Sequence, residues 1–157
     1  MASTITIEPW LNYWLNQRLP ELNGRIFPWG APQAGGFKGD MPYVLFFETH
    51  FMRVGSAKKA TGLTRSIQQI DVFSYSSSLA ASIAAKITGT LEDPGLDFTR
   101  SGITRPGIGT LGIQCAKQYG DGWSEGYEPK HATEQKLFRV CREYEIWFDE
   151  KIYPEVS

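Results

Sequence analysis

The sequence predicts a chain that combines two α-helices with six short β-strands. Three observations predict it. Two segments, near 7–22 and 77–92, carry apolar residues at the three-and-four spacing of a helix face. Six others, at 25–27, 43–51, 65–74, 98–104, 110–118 and 137–148, carry short alternating or continuous apolar runs. Stretches rich in proline and glycine separate them.

In the first helix Ile7, Trp10, Leu11, Trp14, Leu15, Leu19 and Leu22 form one wide apolar stripe. Thr6 is the expected N-cap and Pro9 falls in the tolerant first turn. Pro20 should end or kink the helix, and Asn23-Gly24 should stop it. The opposite face is not basic, so the stripe reads as core rather than as a membrane-binding face.

Arg25 to Phe27 can make a short strand, and 28–42 reads as an irregular loop. Tyr43 to Phe51 is almost continuously apolar, the pattern of a strand covered on both faces. Residues 52–64 read as a mobile loop. With Arg65 this loop carries Arg53, Lys58 and Lys59, and no acid lies between Glu48 and Asp71. Two readings stand, a solvated hairpin tip or a contact loop.

In 65–74, Ile67, Gln69, Asp71 and Phe73 share one face and Gln68, Ile70, Val72 and Ser74 the other. Ser76, Ser77 and Ser78 offer N-caps for the second helix. Its stripe is Leu79, Ile83, Ile87 and Leu91, with Ala80 and Ala84 permitting close packing. Gly89 weakens its last turn and Asp93-Pro94-Gly95 ends it. Residues 119–135 are polar and read as a long loop. The segment 137–148 fits both period two and period 3.6; its β-branched and aromatic content favours a strand.

The chain has 157 residues, enough for one domain that folds without a disulfide or metal. Net charge is −1, which argues against tight nucleic-acid binding. Aromatics make up 13%, a hint of assembly, because they concentrate at interfaces. Cys115 and Cys141 stand far apart without a zinc-ligand spacing, and His50 and His131 are the only histidines that could join them. Reduced, buried thiols are the expectation, with no metal and no cofactor. There is no secretory leader pattern and no run of about 20 apolar residues for a membrane helix.

RPGIGTLG at 105–112 spells G-x-G-x-x-G. A dinucleotide site needs a buried strand before the first glycine and a helix opening at the last. FTRSGITRP precedes it and IQCAKQYGDGW follows, so the letters lack their context. There is no G-x-S-x-G, and Glu143 and Glu145 read as a solvated sheet face. No residue set makes a case for an enzyme.

The order of the elements, with Gly24-Arg25-Ile26-Phe27-Pro28, Ala31-Pro32, Pro42-Tyr43-Val44-Leu45-Phe46 and Ile70-Asp71-Val72-Phe73-Ser74, resembles the tail-completion or tail-terminator proteins of long-tailed bacteriophages. This group includes the tail-to-head joining proteins and the lambda-type terminator. The likeness covers roughly 8–92 and 137–149. It implies an α+β fold, an antiparallel or mixed β-sheet packed against two α-helices, as a single tail-terminator-like domain over 1–157 with an inserted segment at 95–136. It also implies a hexameric ring that caps the head-proximal end of the tail tube and ends its growth. The implied partners are further copies of the chain, the tail tube protein and the head connector or adaptor, with DNA passing through the lumen unbound. The implied place is the virion, after assembly in the host cytoplasm. In such a ring the loops 28–42, 52–65 and 119–135 become contact elements. Their candidate interface residues are Trp29, Phe37, Arg53, Lys58, Lys59, Arg65, Trp123 and Tyr127. The rivals are a head-side connector or adaptor ring and, in another class, a small enzyme or nucleotide-binding module using 107–112.

Overall fold

The computed structural model describes residues 6–28, 41–55, 60–92, 102–127 and 135–153. The protein is α+β, with a curled mixed sheet and two helices. In chain order the elements are α1 (Glu8–Arg18), a 3-10 turn (Pro20–Leu22), β1 (Ile26–Pro28), β2 (Tyr43–Gly55), β3 (Ala60–Ser74) and α2 (Ser77–Glu92). β4 (Ile103–Arg105), β5 (Gly109–Gln118), β6 (Trp123–Tyr127) and β7 (Leu137–Tyr153) follow. The strands lie in the order β1-β2-β3-β7-β5-β4, and β6 pairs with β7. Among the described residues only β1 and β2 run parallel; the other pairs are antiparallel.

Both helices lie on one face of this sheet. Trp10, Leu11, Leu15, Ile83, Ile87 and Leu91 meet Val44, Phe46, Ile70, Val72, Tyr144, Ile146 and Phe148 in a single core. The strand residues are those of one parity, as the two-residue period requires. α1 touches both β1 and β4, which stand at opposite edges of the sheet. The sheet therefore curls around the helices. The indole N–H of Trp10 donates to the carbonyl of Gly109 at 3.1 Å and fastens α1 to that rim.

Several local expectations need correction. Thr6 does not cap α1: the N-cap is Ile7, in helical geometry and without a side-chain bond. Pro9 already rigidifies that first turn, so the cap matters less. At the other end the helix stops before Pro20, and Asn23 adopts φ +49°. Ser76 does cap α2, its Oγ accepting from the Leu79 N–H at 3.2 Å. Leu79 itself is exposed and stands outside the stripe. β2 is buried on both faces only over Tyr43–Phe46; Glu48, Thr49 and His50 are exposed. Met52–Gly55 and Ala60–Thr64 are strand rather than loop. Their polar content misled, because the two strands of a hairpin satisfy each other's backbone whatever side chains they carry.

The segment 119–135 also contains a strand, β6, with all five residues exposed. It forms because β7, at 17 residues, is longer than β5 and offers a second stretch of edge. β5 pairs with β7 through Gln118↔Tyr144 and β6 resumes at Trp123↔Cys141. The chain spends two extra residues in that joint, at Gly120-Asp121-Gly122. Gly122 has φ +72°, and a Cβ there would sit 2.7 Å from the Cys141 carbonyl oxygen. Gly122→Ala should therefore cost about 1–3 kcal/mol, read as a lowered urea midpoint, with β6 and not the core losing amide-exchange protection first.

RPGIGTLG closes the β4–β5 hairpin. The Ile108 N–H bonds the Arg105 carbonyl at 3.1 Å, with Pro106 and then Gly107 at φ +79° between them. Proline followed by a positive-φ glycine is the signature of a type II turn. The spacing of these glycines serves a turn between two strands: β4 before them is three residues at the end of the sheet, and a strand, β5, follows where a dinucleotide site needs a helix. Beyond it, the Tyr119 N–H turns inward to Glu143, and the Gln118 N–H, facing the other way, is taken by the Glu92 carboxylate. That contact blocks one open edge of β5.

Candidate functional site

The sheet face that carries no helix is where the unusual chemistry gathers. Cross-strand register builds it. Arg139 on β7 lies opposite Phe73 on β3 and opposite Glu125 on β6. Its guanidinium stands 5.6 Å from the Phe73 ring centroid and 4.5 Å from that of Trp123. Tyr43 on β2 stacks on Phe73 with centroids 4.8 Å apart. A row Tyr43–Phe73–Arg139–Trp123 thus crosses four strands. Arg139 also holds Asp71 at 2.6 Å and Glu125 at 3.3 Å. Asp71 is 1% exposed and accepts from Gln69 Nε2 as well. The Tyr127 hydroxyl donates to Glu125 and accepts from Arg139, joining the end of β6 to the group.

A second cluster lies six residues further along β7, about 20 Å away at strand rise. Arg65 lies opposite Trp147 and bonds Glu145 at 3.0 Å. Its guanidinium is 5.5 Å from the Tyr119 ring centroid and 6.0 Å from that of Trp147. The Trp147 indole donates to Glu145 as well. Hydrogen bonds from Arg65 and Trp147 hold the Glu145 carboxyl below the usual glutamate range. Glu145 is buried, so it does not belong to a solvated face as its alternation implied.

The sign of the pH effect follows. A carboxyl lowered in the folded state stabilises above its unfolded value, near 4.3, and that contribution is lost as pH falls through the folded value. Glu145→Gln should cost about 1.5–3 kcal/mol at neutral pH, nearer the lower figure because Arg65 keeps some exposure. The gap between variant and wild type in thermal melts should close as pH drops below about 4.

The candidate interface residues fall in three places. Trp123 and Tyr127 come together around Arg139, and Arg65 anchors the second cluster. Arg53 is exposed on β2 opposite Thr64, beside the Met52–Arg65 pair, and alternation turns it to the other face of the sheet from Arg65. Trp29, Phe37, Lys58 and Lys59 lie outside the described residues, as does His131. Sequence reasoning missed Asp71, Phe73 and Arg139, and Tyr119, Glu145 and Trp147. The alternation R-x-C-x-E-x-E-x-W in 139–147 was the available signal for the β7 members.

Cysteine expectations divide. Cys141 is buried, and desolvation first, then Asp71, pushes its thiol up to about 12. Cys115 is exposed, contrary to expectation, because β5 turns it away from the helices. Among the described residues no three His, Cys, Asp or Glu side chains could hold a metal. No described helix is long and apolar enough to cross a membrane.

No family model and no curated protein matches the chain. Solved structures do match; one, an uncharacterised chain, is 11% identical, over 94% of this chain and 98% of its own. Its TM-score is 0.38, too low to carry an argument about fold or function.

Proposed function

We propose that the protein is a structural subunit of a ring, six-fold, at the head-proximal end of the tail tube of a long-tailed phage. The ring ends tube growth and joins tail to head, without catalysis. The observation that carries this reading is the helix-free face with β6 at its rim. Trp123 and Tyr127 are 46% and 40% exposed, on an edge strand whose five residues all reach solvent. Exposed aromatics gathered around an arginine are the composition of protein–protein interface cores.

The charge pattern supports the same reading. Arg65 and Arg139 are bound to acids of their own chain, so neither guanidinium is offered to phosphate. A net charge of −1 suits a lumen through which DNA slides. The order of sequence elements that resembles the tail terminators supplies the choice of tail over other assemblies.

The test is direct. Purified protein should form a closed ring and bind one end of isolated tail tubes in electron micrographs. Attachment to the head connector but not to tubes would instead make it a head-side adaptor. Nucleotide binding that Gly109→Ala abolishes would favour a nucleotide module.

A further inference from the structure

α1 and β4 enclose a cleft that none of these roles uses. One part, about 370 Å³, is lined by Tyr13, Trp14, Gln17, Arg18 and the strand residues Ile103 and Thr104. A second, about 490 Å³, shares Tyr13 and ends at Arg105. The two adjoin at Tyr13 and make a groove beside β4, with an arginine lining each part. The Arg18 guanidinium lies over Trp14, 4.2 Å from the ring centroid. Its Nε is buried and has no hydrogen-bond partner among the described residues. No described acid pairs with Arg18 or Arg105. Glu8 is the one acid among the described lining residues, and it belongs to the part that holds Arg105.

A buried charged donor without an acceptor is costly, and its natural complement is an anion. β4 ends the sheet order, so among the described residues no strand pairs with its outer side. An extended chain added there would gain main-chain hydrogen bonds while placing carboxylates on the guanidiniums. We infer that this groove binds an extended acidic segment of another protein chain, with its carboxylates on Arg18 and Arg105. A peptide fits better than a nucleic acid. Two cations with Glu8 beside one of them make a poor track for a phosphate backbone, whereas an edge strand is a specific device for peptide recognition.

The inference stands apart from the ring reading, and its test needs no ring. A fluorescein-labelled peptide of alternating glutamate and valine is titrated with the full chain at low salt and followed by anisotropy. Binding should be saturable. Arg18→Gln and Arg105→Gln should each weaken it about tenfold, and Lys117→Gln, on the opposite face, should leave it unchanged. Circular dichroism melts check that each variant is folded; if Arg18→Gln is not, Arg105→Gln carries the test. A lysine–valine peptide should fail to bind. No binding, binding indifferent to both arginines, or equal competition by oligothymidylate would each overturn the inference.

Discussion

Asp71→Ala lowers stability by about 3 kcal/mol, the low end for breaking a buried ion pair. The melting temperature should fall by about 6–12 °C for a chain of this size. Asp71 is 1% exposed and accepts from Arg139 and Gln69. Removing it leaves the Arg139 guanidinium with the exposed Glu125 and the Tyr127 hydroxyl at the rim, and Gln69 without its acceptor. Partial exposure of Arg139 keeps the loss from the upper end of the range. The double variant Asp71→Ala, Arg139→Met removes both charges and should recover much of the loss. A double variant as unstable as the sum of the two single ones would show that the pair is not coupled.

If the ring reading holds, Trp123→Asp should act on assembly rather than on folding. Trp123 is 46% exposed, so its removal touches little of the core. In the ring reading it is an interface anchor, and losing such a residue costs about 2 kcal/mol or more per contact. Each subunit of a closed ring meets two neighbours, so the losses accumulate around it. The added carboxylate also stands next to Glu125 and competes for Arg139. Monomeric protein with a thermal melt close to wild type is the expected result. An intact ring in this variant would remove β6 from the interface.

Much of the helical layer was legible in the sequence. Its stripes are long, and Leu11, Leu15, Ile83 and Ile87 fall where the period puts them. β7 was legible from its β-branched and aromatic residues. β6 was not, because WSEGY has no buried side and exists only as a partner to β7. Nor were the arginine clusters. Asp71 and Arg139 meet only because β3 and β7 pair with Asp71 opposite Cys141, two residues further on. Register belongs to the assembled sheet, and local pattern does not encode it. The glycine motif failed in the opposite direction. Its letters were present, but Pro106 and the positive φ of Gly107 serve a hairpin turn.

The central claim, a ring that caps the tail, is tested most directly by electron microscopy of purified protein mixed with isolated tail tubes, with its mass measured alongside. The account predicts a six-fold ring, six times the 17.7 kDa chain mass, at one end of each tube. A protein that stays monomeric at high concentration and leaves both tube ends bare would contradict it.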